Sequence, residues 1–375
     1  MKDMETQDGR HIDLLRATLS GEGAFLQVGP PKNESPAPSS SVLPFCSDDP
    51  TYYDLPVIKQ SVWTWTIPLY YYVGGLSGAV AVFGAAATLL DRNGMPNVVR
   101  RSRWLGAMGA AVSTALLIHD LGRPSRFLHM MRVFRPSSPM NMGTWILISF
   151  SSATSLAALA LRGPAFWRAV GNAAALGSGV LGLGLSGYTG VLVANTAVPV
   201  WQLPHRLLPV LFLSSATASA ASVFDLLDGT PSERHASHYF GLLGKIAELS
   251  AAAALERRVA TIPAAVRPLR SGFSGLLWRA GMALSAASLV VSVLSSRQGA
   301  RRAAGILGTM GALCVRFGIH YAGQRSATDP RASFHQQRQG QGAFQITGVS
   351  AVVGANEQRA FEPNQPKRQD DYLLE

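Results

Sequence analysis

Apolar stretches of about 17 to 25 residues, the length that crosses a bilayer, recur eight times along this chain, with short arginine-bearing loops between them. In a hydrocarbon solvent every backbone N–H and C=O must be satisfied within the protein, which leaves helices or a closed barrel. These runs are continuously apolar rather than alternating, so they predict helices. They are read over Ile67–Leu90, Ser102–His119, Gly143–Leu161, Ala169–Ala194, Leu207–Leu226, Tyr239–Leu255, Phe273–Leu294 and Ala303–Tyr321. Flanking them are a polar, partly disordered arm (1–60), with a Pro/Ser stretch at 29–41, and a polar, mostly irregular tail (324–375). The membrane domain is thus 61–323 of the 375 residues.

Composition agrees. Hydrophobic residues make up 47% and charged residues 15%, with a mean hydropathy of +0.17, whereas soluble domains carry about 25% charge. An ordinary cytosolic enzyme, a disordered chain and a disulfide scaffold are excluded. The net charge of +11 lies mostly in arginines beside apolar runs, where membrane anchors belong, so no nucleic acid is expected as partner. Arginines on the two sides nearly balance and leave orientation undecided, while eight spans put both termini on one side. No cleavable signal peptide is read in residues 1–40, so the first helix is expected to act as its own insertion signal. Two cysteines, Cys46 and Cys314, fall in no CxxC. An iron–sulfur cluster needs about four thiolates, so none is expected in this chain. Nor is haem, because no helix carries a mid-membrane histidine pair.

Glycine, alanine and serine crowd the helices, most densely in "LGSGVLGLGLSGYTGVL". In lipid such residues let backbones approach closely, and packing replaces the missing hydrophobic drive.

Four places bear chemistry. The loop after the second apolar run, "HDLGRPSRFLHMMRVFRPSSPMNMGTW", sets His119, Asp120, Arg123 and Arg126 at a membrane boundary. Such groups are costly there unless they pair or face water. A proton access point or a quinone-site wall, and a helix cap with arginine anchors, are equally open readings. The start of the first helix, "SVWTWTIPLYYYVGGLSG", gathers Trp63, Trp65, Tyr70, Tyr71 and Tyr72. It reads as an interfacial aromatic belt or as a flat slot for a quinone ring. The end of the fourth run offers Tyr188, Thr189, Asn195 and Thr196, with Asn195 a candidate for ligand or proton. In "HYFGLLGKIAELSAAAAL", Lys245 and Glu248 are three apart and share a helix face. Pairing with each other is the favoured reading, and a protonatable relay at Glu248 the sharper one.

Together, "PVIKQSVWTWTIPLYYYVGGLSG", the His119–Trp145 loop, "YTGVLVANTAVPVW", "ERHASHYFGLLGKIAELSA" and "AGQRSATDPRASFHQQR" occur in order across about 55–335. They resemble the NrfD family, the membrane subunits of polysulfide-reductase type. The resemblance implies an all-α integral membrane protein of eight transmembrane helices in two four-helix bundles, in the inner (plasma) membrane. It implies exchange of electrons with menaquinone or ubiquinone as substrate. It also implies a ferredoxin-like iron–sulfur partner subunit, with a molybdopterin or multihaem catalytic subunit beyond, and proton paths through the bundle. Such a chain is not catalytic alone. Carried onto these residues, the quinone site takes Tyr70, Tyr72, Tyr188, His119, Asp120 and Arg123. Of these, His119 with Asp120 is the acid–base pair and Arg123 holds Asp120 ionised. The proton path takes Asn195 and Glu248. Some members carry an acid where this chain reads "FGIHYAGQRSA", with His320. A secondary transporter and a purely structural anchor are the competing readings.

Overall fold

The computed structural model describes residues 4–5, 11–13, 18–20, 56, 58–90, 94–123, 125–132 and 134–338. It divides into two units, 1–55 and 56–375. In the first, β1 (Met4–Glu5), β2 (His11–Asp13) and β3 (Thr18–Ser20) form an antiparallel sheet in the order β1-β2-β3. The Pro/Ser stretch at 29–41 lies outside the described residues, as does the tail beyond Arg338.

The described residues of the second unit are helical wherever they are regular. In chain order they form α1 (Thr66–Leu90), α2 (Pro96–Asp120), α3 (Ser125–Met131), α4 (Pro139–Leu159), α5 (Ala165–Ala194) and α6 (Pro199–Gln202). There follow α7 (Leu207–Leu226), α8 (Pro231–Val259), α9 (Pro263–Arg270), α10 (Gly272–Leu294), α11 (Gln298–Thr328) and α12 (Pro330–Arg338). Seven of the eight apolar runs each lie within one long helix, and the third overruns the end of α4 into a 3-10 turn at Ala160–Arg162. The helices outrun the apolar stretches because their first turns are polar and proline-led: α2, α4 and α8 each begin on a proline, whose missing N–H costs nothing there. α11 likewise continues past Gln324, whose side-chain amide donates to the carbonyls of Trp63 (3.0 Å) and Ser61 (3.3 Å).

Six helices, α1, α4, α5, α7, α10 and α11, are long and apolar enough to cross a membrane. The bent pair α2–α3, at 110°, makes a seventh. The protein is therefore a multi-pass membrane protein. The expected count of eight is not reached by length and apolarity, because α8 opens on the polar "PSERHASH" and buries Lys245 and Glu248 at 1% exposure each.

α1 packs on α2, α5, α7 and α11. α4 joins α2 and α5, α7 joins α8 and α11, and α10 joins α8 and α11. Two glycines show what the small residues do. A Cβ on Gly182 of α5 would lie 2.5 Å from the Gly78 carbonyl of α1, and one on Gly78 the same distance from that of Gly182. The two backbones touch, which only glycine allows. Large apolar residues such as Leu183, Leu243 and Val290 face outward instead, as lipid permits.

Candidate functional site

Antiparallel packing brings the start of α1, the end of α2, the start of α4 and the end of α5 to one end of the molecule. A cavity of about 90 Å³ lies between them, lined by Trp63, Tyr70, Tyr71, Asp120, Thr144 and Tyr188 among apolar neighbours. Asp120 closes α2 and stitches it to α1. Its Oδ1 accepts from the Thr64 amide (3.2 Å), the Thr64 hydroxyl (2.9 Å) and the Thr66 hydroxyl (3.2 Å). A carboxylate at a helix N-terminus satisfies orphan donors and meets the positive end of the dipole. Gly122, at φ +70°, then turns the chain away toward α3.

Tyr188 is set by two contacts. Its hydroxyl donates to the Pro139 carbonyl at 2.6 Å. Its ring occupies the space a side chain at Gly143 would need, since a Cβ there would collide with the phenol ring and its oxygen. Asn141 braces the same end by donating to the Met130 carbonyl (2.8 Å) and accepting from the Arg135 amide (2.7 Å). Tyr71 is 1% exposed and its hydroxyl has no partner. Its ring meets Phe212 at 5.8 Å and His320 at 6.3 Å.

Of the residues singled out in the sequence, Tyr70, Asp120 and Tyr188 thus come together on the cavity wall. His119 and Arg123 are exposed and do not line it, and the groups that hold Asp120 are threonine donors rather than Arg123. Tyr72 is buried away from the cavity, because two residues along a helix turn the side chain by roughly 200°. Asn195 is exposed and donates to the Val191 carbonyl (3.2 Å) at the end of α5. Glu248 lies deep between α7, α8 and α10. Ser215, Ser285 and Arg316 surround it, and its Oε1 has no hydrogen-bond partner. The favoured Lys245–Glu248 pair is not formed: Lys245 Nζ donates to the Ser292 hydroxyl at 2.8 Å, across to α10, because a side chain that long reaches a neighbouring helix as readily as its own.

Two buried groups carry no assignment from the sequence. Arg316, 1% exposed, donates to the Phe212 carbonyl at 2.6 Å and lays its guanidinium 3.9 Å from the Phe212 ring centre. His320, one turn on, is fully buried and stacks on Trp63 at 6.4 Å. An arginine inside "ALCVRFGIHYAG" was the available signal, since an intramembrane charge marks function by default. Among the described residues no three His, Cys, Asp or Glu side chains gather as a metal site would require.

The comparisons agree with this architecture. The chain is similar to the C chain of the polysulfide reductase of Wolinella succinogenes, at 25% identity over 180 residues, covering 43% of this chain and 56% of that protein. It thus spans little more than half the length of that curated relative. The family model for "Polysulphide reductase, NrfD" matches residues 56–327, from the turn before α1 almost to the end of α11. The chain belongs to the NrfD polysulphide reductase family.

Proposed function

We propose that this protein is the quinone-reactive membrane subunit of a multi-subunit oxidoreductase, seated in the inner membrane as eight spans in two four-helix bundles. The observation that carries the reading is the cavity walled by Tyr70, Tyr188 and Asp120 at the membrane edge of a family member. A quinone needs a flat apolar slot with a few polar groups at its carbonyl oxygens. Trp63, Ile67 and Leu117 supply the slot, and Tyr70 and Asp120 supply the polar groups, the Tyr188 hydroxyl being bonded to the Pro139 carbonyl.

Oxidation of a quinol to a quinone releases two electrons and two protons. Asp120 takes these protons one at a time in the cavity wall, releasing the first to water before accepting the second, through the oxygen that the threonines do not engage. The electrons pass to a ferredoxin-like iron–sulfur partner subunit, because this chain has too few cysteines for a cluster. A molybdopterin or multihaem catalytic subunit completes the complex. The Lys245, Glu248 and Arg316 region, rich in serine hydroxyls, is a candidate proton path. The name of the Wolinella relative, a polysulfide reductase component, supports the general class.

The test is quinol oxidation by membranes carrying the assembled complex. Asp120→Asn is expected to lower turnover by about 100-fold, the scale of a lost acid–base group. His119→Ala, which alters a residue outside the cavity, is expected to retain most of it. Full turnover in Asp120→Asn overturns the assignment of the cavity.

A further inference from the structure

A second hollow adjoins the cavity. It is an open groove of about 400 Å³ between α4, α5 and α7, lined by Ile146, Gly184, Gly187, Val210 and Leu213 among others, with Tyr188 as one wall. Tyr188 also lines the cavity, so its ring is the partition between the two spaces. Among the described residues no other polar side chain faces the groove, and the Tyr188 hydroxyl is spent on Pro139.

The glycines here differ from those at the α1–α5 crossing. A Cβ on Gly184 would meet only the Ile146 side chain, at 3.8 Å, and one on Gly187 only the Pro209 carbonyl, at 3.8 Å. Both positions would take a methyl group without strain, so close packing does not account for the lack of side chains. The hollow itself remains, and its rim residues Val191 and Val210 are 40% and 51% exposed on helices that qualify as membrane spans. The cavity, in turn, is far smaller than the several hundred Å³ that enclose a whole drug-sized ligand. It is too small to enclose a whole prenylated quinone.

We infer that the groove is the seat of the quinone's polyprenyl tail, running from Tyr188 between α4 and α7 to the lipid. This rests on the quinone reading of the cavity. The groove's wholly apolar lining suits a methyl-branched hydrocarbon chain. Its only joint with the polar site is the tyrosine at which head and tail would part.

The test is affinity of the full-length chain in nanodiscs for tail-less quinones (menadione and duroquinone) and tailed ones (menaquinone-4 and ubiquinone-2). The signal is the tryptophan fluorescence quenching that is absent from a Trp63→Phe variant. Gly184→Leu fills the groove from α5 and Val210→Trp fills it from α7, so that a misfolded variant on one side leaves the other. The expected result is an affinity for tailed quinones lowered about tenfold in either variant, with tail-less affinity unchanged. Equal affinities in variant and wild type, or equal losses for both ligand kinds, overturn the inference and make the groove an acyl-chain seat for bulk lipid. If no quinone of either kind quenches the wild-type chain, the reading of the cavity itself falls, and the tail seat falls with it.

Discussion

At the scale of single residues, Glu233 shows how one buried carboxylate organises two helix starts. It closes a capping box with Thr230 at the head of α8, accepting from the Thr230 amide at 2.9 Å. It also reaches the head of α2, where it accepts from the backbone amides of Asn97 (2.7 Å) and Val98 (3.0 Å) and from the Asn97 side chain (3.2 Å). Burial pushes its carboxyl up, but these donors outweigh burial and hold it below the ordinary value of 4.5. A carboxyl with a lowered folded pKa contributes stability that is full above the ordinary value and is lost as pH falls through the folded one. Thermal unfolding in detergent is therefore expected to lose this contribution as pH falls below 4.5 and through the lower folded value. Glu233→Gln sets an NH₂ against N–H donors. It is expected to cost about 1–3 kcal/mol at neutral pH and to remove that acid dependence. An unchanged acid limb in the variant counts against the assignment. The cap was visible in the sequence as "TPSE" before a helix, whereas its second client, α2, lies 136 residues away in the chain and left no local mark.

Among the elements, the α1–α5 crossing distinguishes glycines that bring helices together from glycines that leave a gap. Gly182→Ala drives a methyl group into the Gly78 carbonyl, and backbone cannot yield as a side chain can. A loss of about 1–3 kcal/mol is expected, read as a lower unfolding temperature and lower yield. Gly184→Ala, two residues along the same helix, adds its methyl to open space and is expected to be near neutral. Similar losses at both positions would show that contact with the Gly78 carbonyl does not set the cost, since alanine is the better helix former at either site. Glycine richness was plain in the sequence. The two roles were not, because they depend on which face of α5 meets α1, and a helix apolar all round carries no stripe to say so.

For the whole molecule, α8 decides the topology. It is 29 residues long but too polar to qualify as a span on composition. If all eight long helices cross, Arg123 and Arg267 emerge on one side and Arg234 and Arg297 on the other. In a background with Cys46→Ser and Cys314→Ser, single cysteines at these exposed positions are expected to react with an impermeant thiol reagent in two such pairs. Labelling of positions 234 and 267 from the same side would remove α8 from the spans. The polar groups that depress its hydropathy, Lys245 and Glu248, are buried against α7 and α10, so the helix presents Leu243 and Ile246 to the surroundings.

The order and approximate placement of the long helices were legible in the sequence alone, their polar first turns excepted. In hydrocarbon the backbone must bond to itself within each segment, so a long apolar run reads as a helix, and prolines lead α2, α4 and α8. Only the tertiary structure decided which polar groups meet. It chose Tyr70 over Tyr72 for the cavity, gave Asp120 to the threonines of α1, left His119 and Arg123 exposed, and buried Arg316 and His320. In water, hydrophobicity marks the inner face of a helix, and a reader of the sequence can follow it. In lipid the outer face is as oily as the inner one, and the facing of each side chain is settled by the contact of small residues between helices far apart in the chain.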